Sequence, residues 1–136
     1  MATFTASAAQ ANVPAIYAVN GDTTRVVAYT LGVAASAGDV FQMVRVPVGA
    51  VITGVKLAIF SHDGVLTVNL GDGNDVSRYG ASVVLSGTAI TTTSLPARGL
   101  GYEYTAEDTV DIKIGAISAA SANGVLLAAV TYTNQP

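Results

Sequence analysis

Short runs of β-branched and aromatic residues, each broken by Gly, Asp, Asn, Ser or Pro, constrain this chain more than any other feature. The run from Thr24 to Val33 is rich in Val, Thr and Tyr, and reads as a strand. From Asp39 to Val46 the pattern sets Val40, Val44 and Val46 against Phe41, Met43 and Arg45, and Pro47 and Gly49 then stop it. Between Val51 and Phe60, Val51, Val55, Leu57 and Ile59 share one face and Lys56 takes the other. His62-Asp63-Gly64 is a hairpin-turn signal leading into Val65 to Leu70, where Leu66, Val68 and Leu70 alternate with Thr67 and Asn69. A short strand is expected around Ser82 to Leu85, an exposed one at Thr91 to Thr93, and a small one at Tyr102 to Tyr104. Val110, Ile112 and Ile114 then alternate with Asp111 and Lys113. The last run, Gly124 to Thr133, is apolar on both faces, which suits a central or interface strand.

These runs amount to about eight strands with no helix of ordinary length. The fold class is all-β: an antiparallel β-sandwich, jelly-roll-like, with an extended N-terminal arm. Residues 1–21 form the arm and residues 22–136 a single domain. The arm is rich in Ala, Thr and Ser, with Phe4, Ile16 and Tyr17 scattered through it. It reads either as a frayed terminus or as a segment that buries those three side chains on a neighbouring subunit. Phe4, Ile16 and Tyr17, with Leu126, Val130 and Tyr132 of the last strand, are the candidate assembly-interface residues.

Charge is where the composition matters. Only 11% of the 136 residues are charged, less than half the ~25% of ordinary soluble domains. A folded monomer of this size exposes roughly 6,600 Å², so its ionisable Asp, Glu, Lys and Arg residues leave about one charge per 440 Å². So thin a supply points to an exterior much of which is covered by something else. The net charge of −3 argues against a nucleic-acid partner. No apolar stretch is long enough for a bilayer, and Ala50 to Phe60, the best run, is interrupted by Lys56. With no basic, apolar leader at its start, the chain is expected to be soluble, made in the cytoplasm and without a membrane partner.

The residues offer little chemistry. There is no cysteine, and hence no disulfide, thiol nucleophile or thiolate metal site. His62 stands alone in its turn, and no Gly-x-Ser-x-Gly elbow is present. Glu103, Glu107, Asp108 and Asp111 cluster, and two carboxylates at suitable separation can do glycosidic acid/base work. Their expected place is a solvated turn and the polar exterior of a strand. The loop from Gly71 to Asp75 offers Asp72, Asn74 and Asp75 either to a structural turn or to a calcium ion. It lacks the EF-hand spacing, so no metal and no cofactor is expected. A carbohydrate-binding module is weakened by the absence of tryptophan, although six tyrosines keep it open. No enzymatic activity is expected.

Three segments carry a resemblance to a known group. Val46-Pro47-Val48-Gly49-Ala50 turns between two strands, Gly71-Asp72-Gly73 follows, and Tyr104 stands four residues before Asp108-Thr109. This succession, over residues 38–115, resembles small structural proteins of tailed bacteriophages, of the capsid decoration or cement type. The resemblance implies a β-sandwich bound to the capsid exterior of the virion, with the major capsid protein and copies of itself, as a homotrimer, for partners. A tail, fibre or head-completion protein is the alternative within the virion, and a carbohydrate-binding β-sandwich the alternative outside it.

Overall fold

A computed structural model describes residues 2–5, 22–31, 36–60, 64–86, 89–93, 95–117 and 124–134. Those residues form nine strands: β1 (Thr3–Thr5), β2 (Asp22–Thr30), β3 (Val40–Val46), β4 (Ala50–Phe60), β5 (Val65–Gly71), β6 (Gly80–Ser86), β7 (Ala89–Thr93), β8 (Asp108–Ile117) and β9 (Val125–Asn134). Two sheets pack face to face, one ordered β1-β3-β8-β5-β6 and the other β2-β9-β4-β7. Within them β2 pairs with β9, β3 with β8, β4 with β7 and β5 with β6, all antiparallel. The chain thus behaves as one long hairpin with nested strand pairs, rolled until its two halves face each other. This is the expected β-sandwich, with β1 as an additional strand in parallel pairing with β3.

The hydrophobic period of two decides which side of each strand is inside. Leu66, Val68 and Leu70 of β5, and Val110, Ile112 and Ile114 of β8, are all buried, as their alternation requires. On β3 and β4 the alternation breaks. Register shifts between Gln42 and Val44, and between Ile52 and Gly54, mark β-bulges. Each bulge resets the parity, so Phe41 and Met43 are buried with Val44 and Val46, and Val40 is outside with Gln42. Likewise Ile52, not Val51, joins Val55, Leu57 and Ile59 in the core. The faces expected for Val40, Phe41, Met43 and Val51 are corrected accordingly.

Two other local expectations change. β4 and β5 lie in different sheets, so they do not pair as the hairpin expected from the Asp-Gly signal. His62 and Asp63 themselves lie outside the described residues. Tyr102 to Tyr104 contributes a single bridge, Val51 with Glu103, in place of a strand.

Of the expected arm, Thr3–Thr5 belongs to the sandwich as β1. Phe4 stacks on Phe41 with centroids 5.1 Å apart and meets Tyr29 at 5.9 Å. The Ala2 amide donates to Asp39 Oδ1 at 3.0 Å, and the Ser36 amide to Oδ2 at 2.9 Å. These two backbone donors hold the buried Asp39 carboxyl below its ordinary pKa. Replacing Phe4 with Ala is therefore expected to cost about 2 kcal/mol, roughly half the price of a fully buried Phe because the ring is only partly enclosed. Denaturant unfolding measures this, and an unchanged midpoint would show that β1 does not contribute.

Candidate functional site

One end of the sandwich is built from the β3–β4 turn, the loop between β5 and β6, and the segment from Leu95 to Glu107. Asp72, fully buried where β5 ends, organises it. Its Oδ1 accepts the amides of Asn74 at 3.0 Å and Asp75 at 2.8 Å, the pattern of a side chain closing its own turn. Its Oδ2 accepts from Arg78 Nε at 2.6 Å and from the Tyr104 hydroxyl at 3.1 Å. The Tyr79 hydroxyl donates in turn to Tyr104 at 2.7 Å. Burial pushes both phenols well above the ordinary tyrosine range, so they remain neutral. The Arg78 guanidinium also lies over the Tyr102 ring, 3.6 Å from its centroid. A Cβ at Gly71 would run into the Asp75 carbonyl, so the tight path requires glycine. The Gly71–Asp75 segment is thus a turn held by internal hydrogen bonds. Asp75 accepts from the Ser77 amide at 3.1 Å and pairs with Arg98 at 3.6 Å.

The four clustered carboxylates separate into different environments. Glu103 is exposed on its bridge, and Glu107 pairs with Arg45 at 2.9 Å. Asp108 Oδ1 accepts the Thr109 amide at 2.8 Å. Asp111 departs from the expected solvated exterior, being only 7% exposed. β8 is a central strand, and at this level Asp111 sits between Gln42 of β3 and Gly71 of β5. Burial pushes its carboxyl up to about 7, helped by the charges of Asp108 and Asp72 and opposed by a 2.6 Å hydrogen bond from Thr109 Oγ1. Beside this group two adjoining clefts share Glu107 and Asp108 as a common wall, with volumes of about 290 and 210 Å³.

The outer face of the β2-β9-β4-β7 sheet is of the opposite character. Register places Thr24, Val26, Ala28 and Thr30 beside Val125, Leu127, Ala129 and Thr131, and these beside Lys56, Ala58 and Phe60. Val26 is 62% exposed and Phe60 37%. Lys56 is the one charge among the described side chains of this face. β9 lies between β2 and β4, the central place its two apolar faces suggested. Of the candidate interface residues, Leu126, Val130 and Tyr132 are on its inner side and fully buried in the core. They present no surface to a partner, and their alternates Val125, Leu127 and Ala129 face outward. Phe4 is half-buried inside the sandwich, and Ile16 and Tyr17 lie outside the described residues.

No family model matches the chain, and no curated protein matches it. Solved structures do. A chain in the capsid of Ralstonia phage GP4 superimposes with a TM-score of 0.75 at 14% identity, over 98% of this chain and 99% of that one. A chain of the cyanophage Pam1 capsid asymmetric unit is 28% identical with a TM-score of 0.58, over 94% and 96%. This chain is similar to phage capsid-structure proteins. A third such protein, from the acidic stable capsid structure of Helicobacter pylori bacteriophage KHP30, gives a TM-score of 0.55 at 16% identity, over 82% and 86%. The phage resemblance of residues 38–115 therefore extends, at the level of the fold, over nearly the whole chain.

Proposed function

We propose that the protein is a virion structural component that binds the outside of a phage capsid and stabilises it as a decoration or cement protein, three copies grouping over the seams between shell subunits. The observation that carries this reading is the outer face of the β2-β9-β4-β7 sheet, apolar from Val26 to Phe60 with Lys56 its one described charge. Such a face gains about 25 cal/mol for each Å² of apolar surface it buries, before the costs of association. Many copies bridging adjacent shell subunits add these contacts through multivalency and oppose the outward pressure of packaged DNA. The net charge of −3 suits a position away from that DNA. The nested strand pairs, together with the similarity to phage capsid-structure chains, support reading the sandwich as a jelly roll with the major capsid protein as its partner.

Val26→Glu and Phe60→Glu test the face. Both side chains are exposed, so thermal unfolding of the free protein should hardly change. Affinity for undecorated particles should fall by about tenfold or more, because each variant buries an unpaired carboxylate on docking. Unaltered particle binding by both variants would remove this face from the interface.

A further inference from the structure

The two clefts meet at Glu107 and Asp108 as the two parts of an open groove, the first at the polar end and the second against Gln42, Arg45 and Thr109 of β3 and β8. We propose that this groove binds a neutral oligosaccharide. A pyranose presents hydroxyls that both donate and accept, together with an apolar ring face. The groove answers with both kinds of group: Glu107 and Asp108 accept, Arg45 donates, and Asn74 and Gln42 do both. Tyr102 supplies an aromatic ring in the first cleft, held by Arg78 and by an edge contact with Tyr104 at 5.2 Å.

These groups are set before any ligand arrives. The Thr109 amide holds Asp108, Arg45 holds Glu107, and the buried Asp72–Tyr104 bond fixes the wall behind Tyr102. Little ordering cost then remains on binding. Gly73 keeps the mouth open, since a Cβ there would lie 3.3 Å from Asp108 Oδ1. The first cleft, at about 290 Å³, lies close to the lower end of the ~300–1,000 Å³ of small-molecule sites. A divalent cation fits less well. The Glu107 charge is already met by Arg45, and among the described residues no three acidic or imidazole groups converge as metal ligands. Gln42, Arg45 and Thr109 stand on the sheet opposite the apolar face. A molecule docked by that face would hold its groove toward the surroundings, where cell-surface glycans are met.

Nitrogen-15-labelled free protein should be titrated with maltohexaose, cellohexaose, chitohexaose and a mannan fragment, and separately with an oligo-arginine peptide. At least one saccharide should produce saturable amide shifts centred on Gly73, Asn74, Thr105, Ala106 and Asp108. Asp108→Asn, which keeps the acceptor for the Thr109 amide, should weaken that binding about tenfold. Gly73→Val should abolish it by filling the mouth; should that variant fail to fold, Asp108→Asn still decides. No saturable shift with any saccharide, shifts confined to another surface, or a response to the peptide alone would overturn the proposal. The last result would assign the groove to a protein partner. The titration uses the free chain, so its failure leaves the capsid reading standing, and loss of the capsid reading leaves the groove standing.

Discussion

Asp72→Ala is expected to remove about 3–5 kcal/mol of folding stability, a large share of the 5–15 kcal/mol typical of a domain. The carboxylate is fully buried and Arg78 is 12% exposed, so the substitution leaves a nearly buried guanidinium without its counter-charge. It also removes the acceptor for the Tyr104 hydroxyl and for the amides of Asn74 and Asp75. Unsatisfied buried donors cost more than the net value of the bonds they made. Asp72→Asn retains acceptors for the turn and loses the ion pair, so its effect should be smaller. Tyr104→Phe should be smaller still, at about 1–2 kcal/mol, because it leaves the buried Tyr79 hydroxyl without its acceptor but keeps the Asp72–Arg78 ion pair. Urea unfolding of the three variants measures the series. Equal, small losses for all three would mean that the network does not hold this end together.

Asp111 should make the protein less stable as pH rises. Burial pushes its carboxyl up to about 7 in the fold from about 3.8 in the open chain, so between those values the folded state binds a proton that the unfolded state has released. Stability is therefore fully present below about 4, declines as pH climbs toward 7, and is level above it. The interval corresponds to about 4 kcal/mol as an upper bound. Asp39 works in the other direction. Its lowered pKa gives stability that is present above 3.8 and lost only in stronger acid, outside this window. Asp111→Asn keeps an acceptor for the Thr109 hydroxyl and removes the charge. The wild type should thus unfold at higher urea at pH 4.5 than at pH 8, while the Asn variant shows nearly equal midpoints and exceeds the wild type at pH 8. A variant with the same pH slope as the wild type would place the titrating group elsewhere.

The sandwich was legible where alternation ran unbroken. Leu66, Val68 and Leu70, and Val110, Ile112 and Ile114, needed only a period of two to be assigned inward. Where a bulge inserts a residue, as at Gln42/Val44 and Ile52/Gly54, the period gives the wrong side for part of the strand. β9 shows a different difficulty. Being apolar on both faces, it marks a central strand without showing which parity is inside, and the interface candidates Leu126, Val130 and Tyr132 are core. Strand order hid the rest. Asp111 reads as exterior until β3 and β5 are known to flank it. The Asp72 network joins Tyr79 and Tyr104, 25 positions apart, and no local pattern relates them. The Gly71–Asp75 loop was recognisable as a turn, whereas its role as the anchor of a buried network depends on long-range packing.

The copy number of the chain in purified particles from its source tests the central claim most directly, measured by quantitative mass spectrometry against the most abundant shell protein. Decoration of the capsid exterior predicts a ratio near one to one, or a simple fraction of it. A few copies per particle would contradict that account and indicate a tail, fibre or head-completion component, and absence from particles would contradict the virion reading altogether.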